Sequence, residues 1–162
     1  MHILQNNTLQ LNIEPPQIGY LSSRFDWTGK ITSVFFQGKK VTGIERPAWE
    51  HVPIGGKGLF NEFGMNNPVG FEETGMGEWF HKIGVGLLKK EEPQYIFNKD
   101  YQIRPADFSI QQECQKLTMV CQAALLNGYA YQLWKEIELF QNQIPISYQL
   151  HTTVEKAIYT DE

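Results

Sequence analysis

Apolar and polar residues alternate along the first segment of the chain with the two-residue period of a β-strand. Leu9, Leu11 and Ile13 fall on one face, polar residues fall on the other, and Pro15-Pro16 ends the run. The pattern predicts a strand because successive side chains of a strand point to opposite faces of its sheet.

Further short strands are expected through the middle of the chain. Residues 31–36 and the residues around Val41 predict a hairpin about a turn at Gly38. Residues 82–88 (KIGVGLL) form an apolar run that predicts one short buried strand, loosened by its two glycines. Two strand fragments are expected to follow, at 95–97 and 101–103.

The second half of the chain alternates more regularly and contains the strongest hairpin signal, Asn127-Gly128. Apolar residues occupy odd positions both between 117 and 125 and between 131 and 139. A strict two-residue loop would pair odd positions with even ones, which would set apolar residues opposite polar ones. We therefore expect a β-bulge or a longer turn in this hairpin.

The last strands complete an all-β pattern. Residues 144–150 alternate cleanly, and residues 157–160 predict the start of one more strand. No segment longer than a turn or two has helical periodicity. The sequence therefore predicts an antiparallel β-sandwich in a single domain spanning residues 1–162.

Composition and charge argue against several classes of partner. The 162 residues carry a net charge of −4, which offers no positive field to attract nucleic acid or an anionic membrane. There is no apolar run of about 18 residues and no secretory signal pattern, so we expect a cytoplasmic protein without a membrane span. Cys114 and Cys121 lie on opposite faces of one strand-like run, so no disulfide between them is expected.

Glycines and aromatic residues are concentrated in residues 55–88, which hold most of the chain's 14 glycines. Glycine permits positive φ and close backbone approach, so this density of glycines indicates tightly folded loops rather than plain strands. Aromatic rings beside carboxylate, amide and ammonium groups suit a sugar, whose C–H face stacks while its hydroxyls take directional hydrogen bonds. The alternative is an ordered loop whose aromatic residues close the edge of a β core.

Motifs of several common enzyme classes are missing from the sequence. It has no phosphate-binding glycine loop, no dinucleotide fingerprint, no nucleophile elbow and no paired zinc-protease histidines. The four histidines are scattered, so a metal site would have to be assembled from distant positions. We therefore expect neither a metal ion nor another cofactor.

Several segments together resemble one known family. They are residues 24–31 (RFDWTGKI), 58–64 (GLFNEFG) and 82–88 (KIGVGLL), joined by the strand at 146–150 and its continuation to Glu162. The combination is similar to the galactose mutarotase-like, or aldose 1-epimerase-related, proteins and covers most of the chain. The resemblance implies the N-terminal half of a large antiparallel β-supersandwich, an incomplete domain, with a sugar bound across the concave face.

What the resemblance implies for catalysis is negative. In that family a histidine and a glutamate open and reclose the ring of an aldose by moving protons at its anomeric centre. Both groups belong to segments that follow the part resembling residues 157–162, so no catalytic residue is expected here. His81 matches a position where relatives have a different residue, and we expect it in a loop. Negligible mutarotase activity is therefore predicted for this chain, since each positioned proton-transfer group is worth about 10²–10⁴-fold.

Six residues are the candidates for contact with a monosaccharide or sugar derivative: Arg24, Asn61, Glu62, Phe63, Trp79 and Lys82. Each has a structural alternative. Arg24 and Glu62 could form a buried ion pair. Asn61 could cap a turn and Lys82 could begin a strand at the solvent. Phe63 and Trp79 could pack in the core instead of stacking on a sugar.

Three functions are compatible with these patterns. The chain could be part of a mutarotase-like enzyme, a protein that binds carbohydrate without turning it over, or a structural half-sandwich that pairs with another chain. A supersandwich closes its sheets with strands from both halves. We therefore expect the half represented here to form a homo-oligomer such as a two-fold dimer, with an exposed edge near residues 144–150.

Overall fold

The computed structural model describes residues 1–18, 22–49, 51–52 and 54–161. Regular structure in these residues consists of β-strands and one turn of 3-10 helix at Pro47–Trp49. In chain order the strands are β1 (His2–Gln5), β2 (Leu9–Glu14), β3 (Lys30–Phe36), β4 (Lys39–Lys40), β5 (Trp79–Lys82), β6 (Gly86–Lys89), β7 (Ile103–Pro105), β8 (Asp107–Glu113), β9 (Lys116–Gln122), β10 (Tyr131–Glu138) and β11 (Ile146–Thr152).

The strands form three antiparallel sheets in which neighbours in the chain are neighbours in the sheet. The first has the order β1-β2-β3-β4, the second β11-β10-β9-β8 and the third β5-β6-β7. Short connections suffice for such meanders, which fits the turn signals between the alternating segments. The prediction of an all-β antiparallel architecture is confirmed.

The first two sheets pack face to face. Leu11, Ile13 and Ile31 of the first sheet share one core with Met119 and Ile137 of the second, and all five are at most 1% exposed. Each fully buried aliphatic side chain contributes about 1.5–3 kcal/mol. Their two-residue spacing therefore places the hydrophobic driving force on the facing surfaces, as in a β-sandwich.

The β9–β10 hairpin contains the expected bulge. Leu126 and Tyr129 form an isolated bridge about the Asn127-Gly128 turn, while Gln122 pairs with Gln132 further along. Three residues separate Gln122 from Leu126, and two separate Tyr129 from Gln132. The extra residue brings odd positions opposite odd positions, so the apolar side chains of both strands share one face.

The prediction of one strand over residues 82–88 is wrong. Lys82 ends β5, Gly86 begins β6, and the two strands pair with each other across a tight turn. Gly84 has a φ of 76° in that turn, a left-handed conformation that glycine adopts without strain. Gly84 therefore lies in the turn of a hairpin, and Gly86 is the first residue of its second strand.

Two other expected strands are absent from the structure. Residues 95–97 form no strand, although Tyr95 stacks on Tyr101 with ring centroids 5.6 Å apart. Of the fragment expected at 101–103, only Ile103 lies in a strand, as the first residue of β7. Residues 157–160 are also irregular, and Ile158 packs on the core from that irregular segment. In both regions apolar side chains reach the core without a strand.

Strand β11 lies at one edge of the second sheet, as expected for residues 144–150. Its core-facing side chains, Ile146, Tyr148 and Leu150, are only partly buried. The inner surface of the sandwich is therefore not fully covered at this edge.

Candidate functional site

Residues 22–30 cross the interior as irregular chain. Every one of them is buried, although only Lys30 belongs to a strand. Neighbouring loops therefore have to satisfy the backbone of this segment. The N–H of Asp26 donates to the carbonyl of Asn61 at 2.9 Å. The segment thus carries the side chains of Arg24 and Asp26 up against the glycine-rich loops.

Arg24 joins three parts of the chain through its guanidinium. Nη1 and Nη2 donate to the two carboxylate oxygens of Glu45 at 2.8 and 3.1 Å, and Nε donates to Glu62 at 3.0 Å. Nη1 also donates to the carbonyl of Ile54 at 3.0 Å. Two-pronged pairing of this kind is strong and directional. The hydrogen bonds from Arg24 lower the pKa of Glu45, which is therefore ionised at neutral pH.

Glu62 and Lys82 form the deeper part of this cluster. Burial raises the pKa of Glu62, and the charges of Lys82 and Arg24 offset that rise in part. Nζ of Lys82 lies 3.8 Å from Oε1 of Glu62 and donates to the carbonyl of Gly64 at 3.2 Å and the hydroxyl of Tyr95 at 2.9 Å. Burial lowers the pKa of Lys82 to about 8. Oε1 of Glu62 accepts no hydrogen bond from the described residues.

A second buried charge cluster is centred on Asp26. Its carboxylate accepts hydrogen bonds from the backbone N–H and hydroxyl of Thr28, and from the hydroxyl of Tyr148 at 2.6 Å. Nζ of Lys135 lies 3.3 Å from Asp26 and also donates to the side-chain oxygen of Asn61 at 3.4 Å. Asp26 and Lys135 are each 2% exposed, so this ion pair belongs to the core.

Sequence reasoning missed Lys135. Its position was the available signal, because it lies between Leu133 and Ile137 at an inward-facing position of β10. A charged residue in an otherwise apolar register needs a buried partner. That partner, Asp26, is more than a hundred residues away in the chain, and no local pattern identifies it.

A pocket of about 410 Å³ opens beside Arg24. The rings of Phe25 and Phe60 line it and meet edge to face, with centroids 5.4 Å apart. The guanidinium of Arg24 lies 4.3 Å from the centre of the Phe25 ring. Glu45 and Lys57 add a carboxylate and an ammonium group, and the lining is completed by Gly43, Ile44, Gly56 and Gly58.

Gly58 is one glycine of the pocket wall that no other residue can replace. Its φ is 73°, and a Cβ atom there would lie 1.9 Å from the carbonyl oxygen of Ile31. Any other residue would collide with the backbone of β3. Glycine is required here because the loop runs directly against the sheet.

The structure brings three of the six candidate residues into one cluster. Arg24, Glu62 and Lys82 are linked through the carboxylate of Glu62. The ion-pair alternative for Arg24 and Glu62 therefore describes the contact that these side chains make. Lys82 is a fully buried residue at the end of β5, so the alternative of a strand start at the solvent is wrong.

The other three candidates lie apart from that cluster. Asn61 is half-buried and accepts a hydrogen bond from Lys135. Phe63 is 6% exposed and packs edge-on against Tyr148. Trp79 lies beneath the guanidinium of Arg104, 4.0 Å from it. Of the six, only Arg24 lines the pocket. Phe25 and Phe60, which form the aromatic wall, are the sequence neighbours of the candidates Arg24 and Asn61.

His81 was expected in a loop, and that expectation is wrong: it lies in β5 and is 1% exposed. Within the described ranges, no group of three or more histidine, cysteine or acidic residues is arranged to hold a metal ion. The same ranges contain no helix that is long and apolar enough to cross a membrane.

Comparison of the chain with protein-family models, with curated proteins and with solved structures found no match. The likeness to the galactose mutarotase-like family therefore rests on the sequence segments alone. The cytoplasmic location likewise stays a prediction from sequence.

Proposed function

We propose that this protein binds a monosaccharide or sugar derivative in the pocket beside Arg24, and that it does so without turning the sugar over. The observation that carries the proposal is the pairing of an aromatic wall, Phe25 and Phe60, with charged donors and acceptors in one open pocket. In this reading the chain is a carbohydrate-binding relative of aldose 1-epimerase.

The chemistry of the lining supports a sugar. The half-buried ring of Phe60 offers an apolar surface for the C–H face of a pyranose. Glu45 accepts hydrogen bonds, and Lys57 donates them, at the same opening. Pockets that bind small molecules are about 300–1,000 Å³, and the 410 Å³ here lies at the lower end of that range.

The electrostatics favour binding over ring opening. Ring opening needs one group to remove a proton and another to supply one, each with a pKa near the working pH. Glu45 is held ionised by Arg24, so it cannot donate a proton near neutral pH. Glu62 is buried behind Arg24 and outside the pocket lining, so it cannot reach a sugar bound there.

The test is a titration of the ¹⁵N-labelled protein with D-galactose, D-glucose and their acidic derivatives. We expect chemical-shift changes at Phe25, Phe60 and Lys57. The variant Phe60→Ala should weaken binding about tenfold, since loss of a stacked ring removes roughly 1.5 kcal/mol. Phe140→Ala, at a side chain 56% exposed and outside the pocket lining, is the matched control and should bind as the wild type does. No shift with any of these sugars would refute the proposal.

Polarimetry tests the absence of turnover. Freshly dissolved α-D-glucose and α-D-galactose should mutarotate with the protein no faster than in buffer. A rate enhancement that persists through purification and disappears in Glu62→Gln would show that the chain is a mutarotase after all.

A specific observation favours one alternative, a structural half-sandwich that pairs with another chain. The core-facing side chains of β11 are only partly buried, and β11 itself is an edge strand. A second copy could pair along this edge, and such a homo-oligomer is compatible with sugar binding in the pocket beside Arg24.

A further inference from the structure

A second cavity, of about 200 Å³, lies where the β5-β6-β7 sheet meets the start of β8 and the end of β9. It shares no lining residue with the pocket beside Arg24. Its apolar wall consists of Gly86, Leu87, Pro105, Ala106, Ala123 and Ala124. Four polar side chains complete the lining: His81, Arg104, Asp107 and Gln122.

His81 lines this cavity, but Nδ1 of its ring is buried and has almost no surface that a ligand could reach. Nε2 lies 3.3 Å from the carbonyl oxygen of Leu126, and only a protonated nitrogen can donate to a carbonyl. Burial lowers the pKa of His81, and neighbouring backbone carbonyls offset that effect only in part. The ring is therefore neutral, and its buried Nδ1 carries a lone pair that no described residue occupies.

Arg104 and Asp107 bring opposite charges to the cavity without pairing with each other. The guanidinium of Arg104 stacks on Trp79 at 4.0 Å, which fixes its plane and leaves its N–H groups at the edge. Among the described residues, neither Arg104 nor Asp107 makes an ion pair or a side-chain hydrogen bond. Gln122 differs, because its carbonyl oxygen already accepts from Gln132 at 2.5 Å.

We propose that this cavity binds a small aliphatic α-amino acid. The carboxylate of the ligand pairs with Arg104, and its ammonium group donates to Asp107. Its side chain packs against Ala123 and Ala124. The site is independent of the sugar pocket, and the proposal goes beyond the proposed function.

The complementarity selects a zwitterion over simpler ligands. A carboxylic acid alone would satisfy Arg104 but would leave Asp107 facing a ligand without donors. An amine alone would leave Arg104 without an acceptor. The volume sets the size of the ligand, because about 200 Å³ is below the range of pockets that hold drug-sized molecules.

The test uses glycine, L-alanine and L-valine as probes, with propionate and propylamine as single-charge comparisons. In titrations of the full ¹⁵N-labelled chain, L-alanine should shift the amide resonances of Ala123 and Ala124. Propionate and propylamine should bind at least about tenfold more weakly, the ratio expected when a hydrogen bond to a charged group is lost.

Two variants at exposed side chains, Arg104→Gln and Asp107→Asn, should each weaken L-alanine binding about tenfold or more. Glu113→Gln removes an exposed charge from the same strand as Asp107, outside the cavity lining, and should leave the affinity unchanged. The proposal is overturned if no amino acid shifts these resonances. It is also overturned if propionate binds as tightly as L-alanine, or if Asp107→Asn binds as the wild type does. Sugar binding is followed at Phe25 and Phe60, so absence of amino-acid binding in this cavity and absence of sugar binding in the other pocket are observed separately.

Discussion

Nζ of Lys135 lies 3.3 Å from Oδ2 of Asp26, and both side chains are almost completely shielded from solvent. The pair connects the middle of β10 to the irregular segment 22–30. Tyr148 adds a hydrogen bond from β11 to the same carboxylate. A buried ion pair often adds little net stability over apolar residues of similar size, but loss of one partner leaves an uncompensated charge in the core.

Lys135→Ala should therefore lower the free energy of unfolding by about 3–5 kcal/mol, measured by urea denaturation. Lys116→Ala is the matched control in the same sheet, because Lys116 pairs with Glu136 at 2.6 Å while both side chains are about 40% exposed. An exposed pair of this kind contributes about 0–1 kcal/mol. Equal losses in the two variants would contradict the assignment of Lys135 to the core.

Gly58→Ala should destabilise the protein far more than Gly38→Ala. Both glycines have positive φ, 73° and 76°, but a Cβ at Gly58 would meet the carbonyl of Ile31 at 1.9 Å whereas one at Gly38 meets nothing within 4 Å. Conformation alone costs about 1–2 kcal/mol, so Gly38→Ala should lose no more than that. Gly58→Ala should lose several kcal/mol or displace its loop. Thermal unfolding of both variants gives the comparison, and similar melting temperatures would refute it.

The strands that sequence predicted correctly are those specified by local patterns. Leu9, Leu11 and Ile13 alternate because one face of β2 is buried, and a single segment of sequence contains that information. The bulge near Asn127-Gly128 was predictable for a related reason. A two-residue turn would pair apolar positions with polar ones, and one extra residue in one strand restores the pairing of apolar positions.

The failures involve features that depend on distant contacts. β8 (Asp107–Glu113) went unpredicted because it is an edge strand, so most of its residues are polar and exposed. The sequence pattern places Gly84 inside a strand, and only the folded structure shows that it turns the chain. In the pocket, Phe25 and Phe60 come from loops that meet only after folding.

The buried side chains of Lys30 and Lys82 should contribute stability that increases with pH between about 8 and 10.5. Burial lowers the pKa values of Lys30 and Lys82 from 10.5 to about 8 in the folded chain. In that window the unfolded chain holds protons that the folded chain has released, so raising the pH favours folding. Each lysine contributes up to about 1.4 kcal/mol per pH unit.

Chemical denaturation at pH 7.5, 9 and 10 measures this trend. Lys82→Met should reduce the slope relative to the wild type, because methionine fills a similar volume and does not titrate. Lys39→Met, at an exposed side chain in β4, is the control and should keep the full slope. An unchanged slope in Lys82→Met would show that its ammonium group is well solvated in the folded state.

Self-association should take place along β11. The strand is an edge, its sequence ISYQLHT contains no acidic residue, lysine or arginine, and such residues are a common protection of exposed edges. Sedimentation equilibrium at micromolar concentration should show a dimer. The double variant Ser147→Lys with Gln149→Lys should be monomeric, whereas Ser109→Lys with Gln111→Lys, on the opposite edge strand β8, should still dimerise. A wild-type monomer would refute the prediction.

The two cysteines differ in burial, so the rates at which they react can report how often the folded protein opens. Cys114 is exposed at the β8–β9 turn, whereas Cys121 is fully buried in β9 and burial raises the pKa of its thiol. Only a thiolate reacts readily with alkylating reagents, so Cys114 should be modified at once and Cys121 only when β9 becomes exposed. The rate of the second modification therefore measures how often the centre of the sandwich opens, without any engineered label.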